Sequence, residues 1–171
     1  MSFSAALLCF VFAVSDGDTL KARCDGRAAT VTVRLAGIDA PEYRQPFGQR
    51  SRQKMVELAL DQPARLECQK REDKYGRQVC RVWVAPDHCR KGGRRSENCP
   101  LTLDAGHALL TVGLAWWDER FAYTEPPQMR SAYAFSQDEA RARHVGLWSD
   151  DDPVPPWLWR RFHASPYRHA R

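Results

Sequence analysis

The chain lacks a stretch that could cross a membrane as a helix. In 171 residues no apolar run approaches the roughly 18 residues a bilayer requires, and 27% of the residues are charged. No long repeat and no heptad pattern is present, which sets aside solenoids and coiled coils. No two cysteines stand at the C-x2-C spacing of the common structural zinc modules. Neither Lys nor Arg precedes the apolar opening, residues 1–14, and no small-residue cleavage site separates it from the turn Asp16-Gly17-Asp18. Residues 4–13 could form the apolar core of an export signal. The absences favour a retained first strand instead, Leu8 to Val14, running into that turn.

What is present is enough for one core. With 43% hydrophobic and 11% aromatic residues, global disorder is excluded. The length fits one domain, residues 1–149, followed by a Pro-, Trp- and Arg-rich extension over 150–171. Lys and Arg number 26 against 21 Asp and Glu, a formal charge of +5 that tilts the choice of partner toward polyanions such as nucleic acid. Six cysteines are many for an enzyme of a reducing compartment. A Cys89–Cys99 bridge would pin the polar loop between them, and a second is open among Cys24, Cys68 and Cys80, although spacing does not fix connectivity. Such pairing implies an oxidising compartment, the periplasm or outside the cell. The rival account is zinc held by His88, Cys89, Cys99 and His107.

Periodicity supplies the elements. Val31, Val33 and Leu35 alternate with Thr30, Thr32 and Arg34, a half-buried strand that sends Arg34 to the face opposite the valines. Leu20 to Cys24 reads as its hairpin partner across Asp25-Gly26. Gly48 to Leu60 has helical spacing, and Ala64, Leu66 and Cys68 alternate as a strand. Gln78 to Val84 is a further strand, entered through a glycine turn at Lys74-Tyr75-Gly76-Arg77. Asp104 can cap a helix running to about Gly113. A longer helix is predicted from about Gln128 to Val145, with Gly146 as its left-handed stop and Leu147 and Trp148 folding back on the core. In the extension the prolines break regular structure, and the last ten residues read as a loose basic tail, with Trp157 and Trp159 packed on the body. Five short strands interrupted by a helix suggest a small closed barrel, mainly β with helices added (α+β).

Three segments place charged residues at strand ends. They are Asp16-Gly17-Asp18-Thr19, then Arg34 through Asp39, Ala40, Pro41 and Glu42, then Asp73-Lys74-Tyr75-Gly76-Arg77. Asp18 and Asp39 are carboxylates that repel each other unless a cation lies between them. Carboxylates, a carbonyl and waters suit a hard ion such as Ca2+ or Mg2+. Arg34 and Arg77 offer planar forks to a phosphate, and Glu42, after a stiffening proline, could polarise a water. That set is what phosphodiester hydrolysis needs.

The stretches DGDTL, VRLAGIDAPE with the downstream QPFGQRS, DKYGRQVCRVWV, and the later VGLAWW and ARARHVGLW resemble the staphylococcal nuclease-like (thermonuclease) family over about residues 8–149. The resemblance implies an OB-fold, a five-stranded barrel with about three helices, and Ca2+-dependent hydrolysis of DNA and RNA. It implies that Asp18, Asp39 and the Ala40 carbonyl bind calcium, that Arg34 and Arg77 bind phosphate, and that Glu42 is the general base. It also implies that Lys74 and Tyr75 contact a terminal phosphate, and that an aromatic of the 116–123 region faces the substrate base. Two departures stand out. Ala40 replaces the threonine of the best-known member, and an insert runs from about Asp87 to Pro100, which either extends the phosphate-binding surface through Arg90, Lys91, Arg94 and Arg95 or is simply a disulfide-tied surface loop. The expected partner is DNA or RNA and the expected state a monomer. The alternative class is a non-catalytic OB-fold module that binds nucleic acid or protein; the presence of all five charged positions argues against it.

Overall fold

The first strand, β1 (Leu7–Val14), buries Cys9 and Val11 and leaves Leu8 and Phe10 outside. A bulge between Val11 and Ala13 shifts its pairing with β2 (Thr19–Cys24), so the next core residue is Val14 rather than Ala13. β2 pairs antiparallel with β3 (Val31–Leu35), where Val31, Val33 and Leu35 face the core as their alternation predicts. After the two-residue β4 (Ile38–Asp39) and helix α1 (Gly48–Ala59), the long β5 (Gln62–Glu72) pairs with β1 and with β6 (Gln78–Val84). Parallel pairing of β3 with β6 closes the ring β1-β2-β3-β6-β5. Closure leaves the ring no open edge. This is the expected five-stranded OB-fold barrel in an α+β chain. The computed structural model describes residues 6–26, 29–91, 94–95 and 99–163.

Leu20, Val33, Leu66 and Val82 fill the barrel, and Met55 and Leu58 of α1 with Leu109 and Leu110 of α2 (Ala105–Thr111) join the same core. Asp104 caps α2 as predicted, accepting from the Gly106 and His107 backbone N–H groups. Before it, β7 (Arg90–Lys91) and β8 (Arg94–Arg95) form a small ribbon, and β9 (Leu103–Asp104) pairs with β6. The side chains of Arg90, Lys91, Arg94 and Arg95, expected to widen the phosphate surface, lie outside the described residues. After α2, the short β10 (Trp116–Trp117) pairs with β4, and α3 (Pro127–Ala142) follows.

α3 ends earlier than its predicted limit at Val145, because His144 already takes a left-handed conformation at φ 51°. Gly146 is left-handed too, yet it does a different job. Its backbone lies against Gly113, so a Cβ there would run into the Gly113 carbonyl that accepts from Leu147 N–H at 2.7 Å. Leu147 and Trp148 are buried as expected, in a second cluster with Trp116 and Ala140. The extension is more ordered than its prolines suggested. It forms a helix, α4 (Pro156–Phe162), and Trp157 packs on Trp116. Of the stretch expected to be a loose tail, residues 164–171 lie outside the described residues.

Three disulfides join Cys9 to Cys24, Cys68 to Cys80 and Cys89 to Cys99. The first two link residues directly opposite each other in the β1–β2 and β5–β6 pairs. The zinc alternative is therefore overturned. Both its thiols are consumed in the Cys89–Cys99 bridge, and His107 Nε2 instead meets Ser136 Oγ at 2.6 Å. Three cystines belong with an oxidising compartment. Among the described residues no helix is long and apolar enough to cross a membrane.

Candidate active site

The β1–β2 turn is built around Asp16, whose carboxylate accepts from the Asp18 N–H at 3.1 Å. Asp18 then stands at the head of β2, tied to the end of β3 by Leu35 N–H donating to its carbonyl at 2.8 Å. Its side chain is buried and accepts from the Thr19 hydroxyl at 3.0 Å and from the Ala40 N–H at 2.5 Å. Asp39 arrives from the other side. It lies in β4, held by pairing opposite Trp116, and is 1% exposed.

Arg34 joins the two. Nη1 lies 2.8 Å from Asp18 Oδ2 and Nη2 lies 2.9 Å from Asp39 Oδ1. Strand alternation explains this, since it turns Arg34 away from the core side taken by Val33 and Leu35. Burial pushes the Asp18 carboxyl up to about 6, against the pull of Arg34. Asp39 is raised for the same reason, with Arg160 and Arg34 opposing. Two buried carboxylates side by side favour a positive charge between them, here the Arg34 guanidinium, and their oxygen donors suit a hard cation. Among the described residues no three His, Cys, Asp or Glu side chains enclose an ion by themselves. An ion here would draw on two carboxylates, a backbone carbonyl and water.

Glu42 sits on the loop that follows. Its N–H donates to Gln45 Oε1 at 3.1 Å, and Gly48 packs so closely that a Cβ there would strike the Glu42 carbonyl. Glu42 reaches the Asp39 neighbourhood through Arg160, whose Nη1 lies 2.7 Å from Glu42 Oε1 and 3.2 Å from Asp39 Oδ1.

The structure thus brings Asp18, Asp39, Ala40, Arg34 and Glu42 together. Arg77, Lys74 and Tyr75 occupy a separate hairpin. Asp73 accepts from the Tyr75 N–H, the Arg77 N–H and Arg77 Nε, which clamps the turn and turns the guanidinium onto Asp73. Burial works against the Asp73 charge, but these hydrogen bonds outweigh it and hold the carboxyl below its ordinary range. Arg77 stays near the other residues through the backbone, because its neighbour Gln78 pairs with Val33, the neighbour of Arg34. Lys74 Nζ and the Arg77 guanidinium lie 5.0 and 5.2 Å from the Tyr75 ring centre. In the 116–123 region Trp116 is buried, whereas Phe121 and Tyr123 are exposed.

Two further arginines enter the site unannounced by the three motifs. Arg120 bonds both oxygens of Asp118 and reaches Asp39 Oδ2 at 3.2 Å. Arg160, from α4, reaches Asp39 Oδ2 at 2.6 Å. One signal for Arg160 is in the sequence: paired prolines at 155–156 are also a helix start, and that helix puts Trp157 and Arg160 one turn apart on one face.

Residues 32–150 match the family model described as staphylococcal nuclease homologue. The chain is 34% identical over 151 residues to Protein ParB of Escherichia coli, covering 88% of this chain and 77% of that one. It is 34% identical to a micrococcal nuclease of Shigella flexneri, with 88% and 79% covered. It is 36% identical over 163 residues to an uncharacterized endonuclease of Escherichia coli O157:H7, with 92% and 91% covered.

Proposed function

The chain belongs to the staphylococcal nuclease family, and from that premise we propose that it is a Ca2+-dependent nuclease cleaving DNA and RNA with low sequence specificity, exported to the periplasm or beyond and active as a monomer. One observation supports the reading most. Asp18 and Asp39, from two distant turns, share a single guanidinium, so two buried carboxylates converge where a hard cation would be favoured.

Asp18, Asp39 and the Ala40 carbonyl would hold calcium. The ion, when bound, supplies positive charge against the phosphate oxygens as they become more negative in the transition state. The remaining work falls to the chain's own residues. Glu42, 40% exposed, takes a proton from the attacking water at its carboxylate. Arg34 and Arg77 clamp the phosphate, Arg77 after turning from Asp73. Lys74 and Tyr75, on the same hairpin, contact a terminal phosphate. An exposed ring, Phe121 or Tyr123, stacks on a base, which is worth ~1–3 kcal/mol whatever the base. Stacking and phosphate contacts carry little sequence information, which fits low specificity.

The test is digestion of plasmid DNA and of a structured RNA by the purified protein, with Ca2+, Mg2+ and EDTA compared. Cleavage with Ca2+ that EDTA abolishes is the expected result. Salt-sensitive binding without cleavage at millimolar Ca2+ would replace the hydrolase with a binding module.

A further inference from the structure

The extension brings a cation into the site, and the chain provides a mounting for it. Pro155 and Pro156 open α4, where a missing N–H costs nothing and a fixed φ suits the first turn. Trp157 sits edge-on to Trp116 at 5.7 Å between ring centres, with the Arg120 guanidinium 4.5 Å over its face. Gln45 Nε2 donates to the Val154 carbonyl at 2.6 Å, tying the approach to α4 onto the loop that carries Glu42. One turn beyond Trp157, Arg160 spans Asp39 and Glu42.

The hydrogen bonds at Asp39 make this placement consequential. A carboxylate has about four acceptor sites. Oδ1 accepts from Arg34 Nη2 at 2.9 Å and Arg160 Nη1 at 3.2 Å; Oδ2 accepts from Arg120 Nη2 at 3.2 Å and Arg160 Nη2 at 2.6 Å. An arriving ion finds no open lone pair and has to displace a donor. Arg34 is shut in, its side chain only 14% exposed. Arg120 is moored to both oxygens of Asp118 and gives Asp39 one bond. Arg160 holds two of the four bonds, is 46% exposed, and also occupies Glu42.

We propose that Arg160 is a resident cation that calcium must displace, so that α4 sets the calcium concentration at which the site becomes competent. While Arg160 is in place, Glu42 is engaged as an ion-pair partner and is not free to take a proton from water. When Arg160 leaves, Asp39 and Glu42 are released together. The inference rests on the calcium-dependent reading above.

The experiment is calorimetric titration of Ca2+ into the EDTA-stripped full chain, comparing wild type, Arg160→Gln and Arg161→Gln. Arg161 is an exposed neighbour on the same helix, so its variant removes an equal charge from α4 without touching Asp39 or Glu42. The expected result is Ca2+ binding about tenfold tighter or more in Arg160→Gln, roughly a 1.4 kcal/mol change, and little change in Arg161→Gln. Trp157→Ala, which unseats α4 and leaves Arg160 in the chain, should move the affinity the same way. Without calcium, Arg160→Gln should melt below wild type, and calcium should raise its melting temperature further than it raises that of wild type. Equal Ca2+ affinity in wild type and Arg160→Gln overturns the displacement and leaves the calcium reading standing. Unchanged Ca2+ affinity with lost binding of a short oligonucleotide overturns it in favour of a phosphate ligand. Failure of every form to bind Ca2+ overturns both.

Discussion

Arg34→Met tests how the site is held, because it removes the charge and keeps much of the side chain's length. Asp39 would retain Arg120 and Arg160. Asp18 would retain only the Ala40 N–H and the Thr19 hydroxyl. Its carboxyl already sits at about 6 because burial outweighs the attraction of Arg34. Without that attraction it either stays ionised and unpaired in the interior or takes up a proton near neutral pH. Removing one partner of a buried pair costs ~3–5 kcal/mol, and for a domain of this size each kcal/mol moves the melting temperature ~2–4 °C. The variant should therefore melt roughly 6–20 °C below wild type at slightly alkaline pH with calcium chelated.

The sign of the pH dependence follows from the direction of the shift. A carboxyl raised in the fold contributes stability that is fully present below the unfolded value near 3.8 and is lost as pH rises through about 6. In Arg34→Met that loss extends to higher pH and grows. The gap between the two proteins should be wide above neutrality and close toward pH ~5, where a neutral Asp18 no longer needs a counter-charge. Differential scanning calorimetry across that range reads it directly. A gap of constant width would refute the reasoning and leave Arg34 as a packing residue.

Glu42→Gln should lower kcat by about 10²–10⁴ while Ca2+ affinity in calorimetry stays level or rises, since the variant also loosens Arg160; weakened Ca2+ binding would recast Glu42 as a ligand. Asp73→Ala removes the carboxylate that accepts from the Tyr75 and Arg77 N–H groups and pairs with the Arg77 guanidinium, so kcat/KM should fall with folding largely intact. Because the Asp73 carboxyl is held low, its stabilisation is present above the ordinary carboxylate range and lost as pH falls, so an acid-side decline in wild-type melting should be smaller in this variant. Replacing Cys89 and Cys99 together by serine opens a loop closed over a separation of 10 residues, a loss of ~2–3 kcal/mol by chain entropy that thermal melting should register.

The barrel strands were legible because one side of each faces a core, so alternation in Val31–Leu35 and Ala64–Cys68 carries the sheet geometry directly. The end of α3 was not, because a histidine rather than a glycine takes the left-handed position. The three motifs were legible as chemistry at strand ends. Their mutual placement depends on closure of the ring, a long-range event that local pattern does not encode. Arg120 and Arg160 were missed for a related reason. Each looks like an ordinary solvated arginine in its own segment, and its partner Asp39 lies 81 or 121 positions away. The helix of the extension is hidden because proline breaks a helix interior, whereas Pro155 and Pro156 mark the beginning of α4.

Assembly of the site and closure of the barrel are linked through the backbone. The Asp18 carbonyl accepts from Leu35 N–H at 2.8 Å, and the Cys80 carbonyl accepts from Ala36 N–H at 2.9 Å, so the last residue of β3 and the one after it are held by the Asp18 turn on one side and by β6 on the other. The same β3–β6 pairing that seals the ring sets Arg34 beside the strand that Arg77 leads into. An open sheet would keep every motif and lose their convergence. The cystines of the ring reinforce this, since Cys9–Cys24 and Cys68–Cys80 each clamp a strand pair that ends in a site segment, the Asp16–Asp18 turn in one case and the Asp73–Arg77 hairpin in the other. Constraining those pairs in the unfolded chain reduces the entropy lost when the ring closes. The buried carboxylates work in the opposite direction, since burial raises both Asp18 and Asp39 and so makes their charged forms costly to hold in the fold. The candidate site therefore sits on strand pairs that two of the three cystines cross-link, and that cross-linking offsets part of the cost of burying its carboxylates.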